Sequence, residues 1–153
     1  MKTSKTTKIL LAVLLLVTAA AAAVYLLGRD KVPENTIAVD DGNTVHYADL
    51  QGLRLEEIHG ERLNGKGETK PVDGVGTTLY TLLTWTLGKD FTCTSVTVEA
   101  ADGFHAEVSM EEMLEENKAV LLLNEEEGSF QLIVFGDSDS KRSVKNVERL
   151  TLN

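Results

Sequence analysis

Few side chains in this sequence could act as nucleophiles or as soft metal ligands, and they are widely spaced. The chain has one cysteine, Cys93, and its three histidines are His46, His59 and His105. None of the histidine spacings matches a motif such as H-E-x-x-H, which places two imidazoles on one metal ion. We therefore expect the histidines to be surface or hydrogen-bonded strand residues, and Cys93 to be a small buried strand residue rather than a nucleophile or a metal ligand.

A nucleophilic pair formed by Cys93 and His105 stays open as an alternative, because a turn at Asp102-Gly103 could fold one strand back on the other. The sequence identifies neither an orienting carboxylate nor an oxyanion hole for such a pair. We therefore assign no catalytic residue and no metal ligand, and the cofactor-binding residues are unknown.

Two acidic segments invite comparison with metal sites. Residues 137–148 begin like a calcium loop, but Arg142 stands where such a loop needs glycine and Lys141 replaces a ligand. The other segment has like charges four positions apart, which is typical of a solvated helix face rather than a cation cage. Its acidic residues are Glu111, Glu112, Glu115 and Glu116.

Two glycine-rich stretches resemble nucleotide-binding loops only superficially. A P-loop lysine is followed at once by a hydroxyl residue, whereas Lys66 is followed by Gly67. Residues 74–76 begin like a dinucleotide fingerprint, but Leu79 stands at the third glycine position. We expect neither stretch to bind phosphate.

The chain begins with an apolar N-terminal segment. Three lysines precede an uncharged run over residues 9–28. As a helix, residues 9–27 of this run are about 28 Å long, close to the ~30 Å hydrocarbon core of a bilayer. We expect an uncleaved single-pass anchor at residues 1–28, with its lysines in the cytoplasm and the rest of the chain outside. The alternative is a signal peptide that is cleaved near Ala23.

Beyond the anchor the chain is strongly acidic. Residues 29–153 carry 12 of the 15 basic residues and all 24 acidic ones, a formal charge of −12. Such a charge repels nucleic acid and anionic lipid surfaces, while it favours solubility and cationic partners. One cysteine cannot form an intramolecular disulfide, so apolar burial must stabilise the fold. We expect a tether at residues 29–35 and one domain at residues 36–153.

That domain is predicted to be strand-rich and α+β. Residues 64–71 are polar and glycine-rich and are predicted as a loop, a helical turn is expected near Asp49, and Asp102-Gly103 predicts a primed hairpin turn. The predicted strands span residues 36–39, 44–47, 53–58, 94–100, 104–108, 119–123, 130–135 and 144–152.

Two helices are predicted within the domain. Residues 77–87 have a threonine available as N-cap, leucines at helical spacing and Gly88 as a stop. A shorter acidic helix begins at the capping box of Ser109 and Glu112, ends near Asn117 and is expected to be held by Met113 and Leu114. In the closing strand, Val144, Val147 and Leu150 are candidate core residues.

A family pattern runs from Gly74 to Leu150. It consists of a G-V-x-L-x-x-L-L-like helix at residues 74–83, a strand that ends in D-G-F at residues 96–104, and a second strand that leads into an acidic turn at residues 108–112. Two late segments follow at residues 130–136 and 144–150, and the last of them reads V-K-x-V-x-x-L. This order resembles the molybdopterin-binding domain of the sulfite-oxidase-fold oxidoreductases. The resemblance implies that family's fold and an oxidoreductase-like domain at a bacterial cell surface.

The resemblance also implies a molybdenum-binding cysteine upstream of the G-V-x-L helix, and this sequence departs from the family there. No cysteine lies between Met1 and Phe91, and Cys93 follows the helix. We therefore expect a degenerate, cofactor-free domain that acts as a binding or accessory module for an extracytoplasmic protein or small ligand. The alternatives are an active molybdopterin-dependent oxidoreductase with an atypical ligand set and a hydrolase with an unrecognised carboxylate pair. Whether the chain is an enzyme stays open.

Overall fold

The computed structural model describes residues 5–27, 36–40, 42–46, 53 and 55–153. Contacts divide the chain into two compact units, residues 1–31 and residues 32–153. The boundaries predicted for the anchor, the tether and the domain, like the helical turn predicted near Asp49, lie outside the described residues and stay predictions.

The first unit contains one helix, α1, at Lys5–Leu27. Its described side chains are exposed, and the segment Lys5–Val24 is long and apolar enough to cross a membrane. A signal sequence near an N-terminus has the same properties. The predicted apolar helix is therefore confirmed, whereas its anchoring and orientation stay predictions.

The second unit is a strand-rich α+β domain, as predicted. Its described residues form nine strands and two helices: β1 (Thr36–Val39), β2 (Asn43–His46), β3 (Glu56–Leu63), β4 (Thr69–Thr78), α2 (Leu79–Leu87), β5 (Ser95–Ala100), β6 (His105–Ser109), α3 (Met110–Leu114), β7 (Ala119–Asn124), β8 (Ser129–Val134) and β9 (Val147–Leu152).

One sheet has five strands in the order β2-β1-β9-β5-β6. Its neighbouring strands are antiparallel, except that β1 and β9 run parallel. The predicted β1–β2 hairpin is confirmed, with Ile37 opposite Val45. β9 and the segment before it bury Val144, Val147 and Leu150, as predicted.

The other sheet has four antiparallel strands in the order β3-β4-β7-β8. β3 and β8 are its two edges, yet Gly60 of β3 lies directly under the ring of Phe135, which follows β8. A Cβ at Gly60 would come 2.5 Å from that ring, so only glycine leaves room for it. The sheet is therefore curled, with its edges approaching each other on one face.

The two faces of the curled sheet bury separate apolar clusters. The main core combines side chains from both sheets and both helices of the domain, among them Leu79, Met113 and Phe130. The smaller cluster lies on the opposite face of the curled sheet and consists of Ile58, Val72, Val120 and Ile133, with Leu122 and Phe135 packed against it. Burial on both faces explains why β7 is apolar at successive positions rather than at alternate ones.

The loop predicted at residues 64–71 begins where predicted but ends earlier, because residues 69–71 belong to β4. β3 pairs with β4 over eight residue pairs, so the connection shrinks to a tight turn that follows Leu63. Proline is tolerated at position 71 because β4 pairs with β7 only from Gly76 onward, which leaves one side of the strand at Pro71 without a described partner strand. The strand predicted at residues 53–58 begins later, at Glu56.

The β5–β6 hairpin is confirmed, but its turn differs from the primed type predicted. The amide of Gly103 donates to the carbonyl of Ala100 at 3.0 Å, and the amide of Ala100 donates to the carbonyl of Phe104 at 2.8 Å. Gly103 has a φ of +88°, while Asp102 does not have a positive φ. These features are typical of a three-residue loop in which a left-handed glycine follows a type I turn. Because Asp-Gly is common both in primed two-residue turns and in this three-residue loop, the sequence alone could not distinguish the two.

Helix α2 is confirmed, and it begins after the two threonines that complete β4. Thr78 is the N-cap, with its Oγ1 accepting from the amide of Thr81 at 3.1 Å, and Gly88 ends the helix with a φ of +89°. Its apolar stripe packs into the main core through Leu79, Leu82 and Leu83.

Helix α3 is shorter than predicted. The capping box is confirmed, because Ser109 Oγ accepts from the amide of Glu112 at 3.2 Å and the Glu112 carboxylate accepts from the amide of Ser109 at 3.1 Å. The helix ends at Leu114 rather than near Asn117, whose φ of +54° is left-handed. A helix this short turns one side to the core, so Met113 is buried while Leu114 is 62% exposed, contrary to the prediction for Leu114.

Candidate functional site

The structure does not gather the histidines at one site. His46, His59 and His105 lie on β2, β3 and β6, and all three are exposed, as predicted. His59 Nδ1 lies 2.7 Å from Asp73 Oδ1 across the β3–β4 pair, and this hydrogen bond, together with the nearby Glu57, raises the pKa of His59. Among the described residues, no three histidine, cysteine or acidic side chains come together in a way that could hold a metal ion.

Cys93 was predicted to be a strand residue, but it lies in the irregular segment before β5. It is half-buried and packs against the main core. Burial raises the pKa of its thiol, which disfavours the nucleophilic thiolate. His105 Nδ1 lies 3.2 Å from the carbonyl oxygen of Gly103, and no contact with Cys93 is found in the part of the chain that the structure describes.

The strongest charged cluster is one that the sequence did not reveal. Arg142 donates to Glu112 through both terminal nitrogens, at 2.9 and 2.8 Å, and its Nε donates to Asp137 at 2.8 Å. Nη2, one of these two terminal nitrogens, also pairs with the second Asp137 oxygen. The Arg142 hydrogen bonds lower the pKa of Glu112 to about 2, and the two carboxylates raise the pKa of Arg142, Asp137 most strongly.

This cluster is suited to holding the structure together rather than to reacting. The guanidinium is paired with two carboxylates, and one of them, that of Glu112, also takes part in the capping box of α3. The pairs join α3 to the segment before β9. Glu112 thus departs from the solvated face predicted for the acidic helix, whereas Glu111 is exposed as expected.

A cavity of about 260 Å³ lies beside the start of α2. It occurs where β3 begins, where β4 ends and where the chain approaches β7, so three strands and a helix converge on it. The cavity is lined by Leu53, Glu56, Glu57, Ile58, Gly76, Thr77, Thr78, Thr81 and Asn117. No lysine or arginine is among these described lining residues.

The threonines of the cavity differ in how their hydroxyl groups are used. Thr78 Oγ1 caps α2 and also lies 2.7 Å from Thr81 Oγ1. Thr77 is only 5% exposed, and its hydroxyl donates only to the carbonyl of Thr78, at 3.5 Å. That distance is well beyond the roughly 2.5–3.0 Å of an effective O–H···O bond, so Thr77 is a buried hydroxyl with almost no compensating hydrogen bond.

The two glycine-rich stretches do not serve as phosphate loops in this geometry. Gly65 and Gly67 lie in the tight turn between β3 and β4. Gly76 lies within β4, where a Cβ would come 2.1 Å from the carbonyl oxygen of Leu121 on β7. Close packing of two strands therefore accounts for this glycine.

Comparisons with known proteins support the fold without naming a family. No family model matches the chain, and no curated protein matches it. A matching solved structure is the crystal structure of the sulfane dehydrogenase SoxCD from Paracoccus pantotrophus, with a TM-score of 0.63 and 14% sequence identity. The match covers 81% of this chain but 39% of the SoxCD chain. This likeness concerns the fold, and it supports the related fold that the sequence resemblance implies.

The residues around the cavity do not fit the cofactor ligand that the resemblance implies. The resemblance implies a metal held by the thiolate of a cysteine before α2, and the sequence has no cysteine there. Close to the start of α2, the described side chains offer hydroxyl groups and carboxylates instead. Cys93 lies beyond the helix, and burial raises the pKa of its thiol.

Proposed function

We propose that this chain is a membrane-anchored, extracytoplasmic binding module that uses an oxidoreductase-like fold without its cofactor. The observation that carries the proposal is the cavity beside α2, whose described lining residues supply hydroxyl groups and carboxylates but neither thiolate nor basic side chains. Such a site can bind a ligand by hydrogen bonds, and it lacks the donor that the family uses to bind molybdenum.

The anchoring part of the proposal rests on the N-terminal charges and on α1. Three lysines precede the apolar stretch, and a positive flank favours the cytoplasmic side of a membrane. The acidic remainder of the chain would then lie outside the cytoplasm, where its charge keeps it soluble and away from anionic lipid. In this arrangement the module acts at a cell surface or as an accessory part of an assembly there.

An active molybdopterin-dependent oxidoreductase is the second candidate, because the fold is similar to that of a sulfane dehydrogenase. It requires an atypical ligand set in place of the upstream cysteine. A cofactor that binds the folded protein but not the unfolded chain raises the melting temperature by mass action. We therefore compare melting of the full chain, purified in detergent from a host that makes molybdopterin and from one that does not. Equal melting temperatures are expected, and a higher value from the first host would favour the oxidoreductase.

A further inference from the structure

We propose that the open edge of β3 binds an extended basic segment of a partner protein as an additional strand. The inference goes beyond the cavity of the proposed function, because it names a second surface and the kind of partner that fits it. It follows from the outward backbone groups of β3, from the closure of other sheet edges and from the charges along β3.

The backbone of β3 presents hydrogen-bonding groups on the side away from β4. The amide of Asn64 donates to the carbonyl of Glu68 at 2.9 Å, and hydrogen-bonded positions alternate along the antiparallel pair from there. The N–H and C=O groups of Glu57, His59 and Glu61 therefore point outward. β3 is the last strand of its sheet on that side, and these groups have no strand partner among the described residues. An extended segment can bind to such an edge through its own backbone.

Two other sheet edges are partly closed by the chain itself. Leu132 of β8 exchanges both backbone hydrogen bonds with Val144, at 2.8 and 3.2 Å. On β6, the amide of Ser109 donates to the carboxylate of Glu112 at 3.1 Å. The remaining edge strand, β2, has four residues, whereas β3 has eight in continuous register with β4. Proteins commonly shorten, bend or cover an edge that must stay unpaired, and β3 has none of these features over residues 57–61 in the part of the chain that the structure describes.

The side chains along the open edge favour a basic partner. Glu57, His59 and Glu61 share one exposed face of β3, and Asp73 of β4 lies opposite His59 and pairs with it. Three carboxylates thus surround one imidazole, so this face stays negative whether or not His59 is protonated. Lysine or arginine side chains of an added strand would lie opposite Glu57 and Glu61, and opposite charges on neighbouring strands attract each other.

The same charges argue against a second copy of this chain as the added strand. An antiparallel pair of β3 strands centred on His59 would bring the glutamates of the two chains opposite each other, and like charges in such positions are destabilising. Charged side chains on an edge commonly prevent self-association in this way. They do not oppose a strand of opposite charge, so a basic segment of another protein is the favoured occupant.

The other face of β3 determines the apolar side of such a segment. Ile58 belongs to the smaller apolar cluster, and the ring of Phe135 lies against Gly60. Arg62 bonds to the loop after β8, which limits the open edge at that end. Side chains of a strand alternate between its two faces, so a fitting segment lies along β3 before Arg62 and alternates basic or polar residues with apolar ones.

Three peptides with blocked ends test the partner class. The first, Lys-Val-Thr-Val-Lys, reads the same in both directions, so its orientation along β3 need not be assumed. The second has glutamate in place of both lysines. The third has proline in place of threonine, which keeps the charge and removes a backbone N–H from the added strand. Binding of each labelled peptide to the full chain in detergent is measured by fluorescence anisotropy at low salt and pH 7. We expect saturable binding of the first peptide and binding of the other two weaker by about tenfold.

Two variants locate the binding on β3. Glu57→Gln with Glu61→Gln removes the charges and keeps the strand, so it should abolish most of the preference for the lysine peptide over the glutamate peptide. His59→Pro removes an outward N–H, which an edge strand tolerates, and should weaken the lysine peptide by about fivefold. The matched control, Glu125→Gln with Glu126→Gln, makes the same change of charge in the exposed β7–β8 turn and should change neither result. Cooperative melting of each variant shows that it is folded.

The outcomes separate this inference from the proposed function. Equal binding of the lysine and glutamate peptides, or binding of the lysine peptide that survives both variants unchanged, would overturn the partner class or its location. No saturable binding of the lysine peptide would also overturn the inference, while the cavity beside α2 could still bind a small ligand. A dimer of the full chain that His59→Pro dissociates would show that a second copy occupies the edge and would overturn it as well. Recovery of bound cofactor would instead overturn the proposed function.

Discussion

Arg142 shows how much of this protein depends on contacts between residues that are distant in the sequence. In the sequence, Arg142 served only to exclude a calcium loop. Its pairing with Glu112 could not be predicted, because the two residues are 30 positions apart. The capping box of Glu112 with Ser109 was predictable, since both residues belong to one helix start. The ion pair of the same carboxylate with Arg142 depends on tertiary packing. The buried hydroxyl of Thr77 was missed for the same reason, because burial of one threonine among several has no local signal.

At the residue scale, we predict that Glu112 stabilises the fold in a pH-dependent way. Its pKa is about 2 in the folded protein, against an ordinary value of 4.5. A lowered pKa means that the stabilisation is present above about pH 4.5 and is lost as the pH falls toward 2. Glu112→Gln should therefore lower the free energy of unfolding by about 2 kcal/mol at pH 7. The difference from the wild type should shrink below pH 4.5.

Urea unfolding at a series of pH values measures this effect. The control is Glu111→Gln, which changes the same charge on the exposed face of the same helix and should have little effect. A loss of stability in Glu112→Gln that stays constant from pH 7 to pH 2.5 would show that the carboxylate charge is not the cause.

At the scale of elements, local patterns predicted the parts that are determined by neighbouring residues. The leucine stripe and Gly88 placed α2, and turn residues placed the β1–β2 and β5–β6 hairpins. The β3–β4 hairpin was missed because its polar residues and Pro71 suggested a loop. Pairing over eight residue pairs outweighed that weak local preference, as tertiary contacts commonly do for strands.

We predict that Gly76 is required for the close approach of β4 and β7. A Cβ at this position would lie 2.1 Å from the carbonyl oxygen of Leu121, so the two strands would have to separate. Gly76→Ala should lower the free energy of unfolding by more than about 2 kcal/mol. In the control, Gly65→Ala, the nearest atom is Ser140 Oγ at 3.9 Å, and stability should hardly change. Equal melting temperatures for the two variants would contradict this packing.

We also predict that the β5–β6 turn depends on the backbone freedom of Gly103. Its φ of +88° is unfavourable for a β-branched residue, so Gly103→Val should cost about 1–2 kcal/mol in unfolding free energy. Gly103→Asn should retain most of the stability, because asparagine tolerates left-handed conformations better. Thermal melting of both variants is the measurement, and an unchanged melting temperature for the valine variant would argue against the assigned turn.

For the whole molecule, the sequence predicted an apolar N-terminal helix and a strand-rich α+β domain, and both are present. It could not predict the order of strands in the two sheets, because β1 pairs with β9 across the entire length of the domain. The cavity could not be predicted either, because its lining comes from segments that lie far apart in the sequence. The family resemblance implied a related fold, which the likeness to the SoxCD structure supports.

We predict that α1 remains attached as an anchor. Its apolar length is close to that needed to span a bilayer, whereas the apolar region of a cleaved signal is usually shorter. Mass spectrometry of the protein extracted from membranes should therefore find the intact N-terminal segment. A mature chain that starts near Ala23 would show instead that the domain is released.

The molybdenum and pterin content of the full chain tests whether the domain works without the cofactor of the family whose fold it resembles. The chain is purified in detergent from a host that makes molybdopterin and is shown to melt cooperatively. We predict far less than one molybdenum atom per chain and no pterin above that of a control preparation. Stoichiometric molybdenum together with pterin would contradict the account and establish a cofactor site with an atypical ligand set.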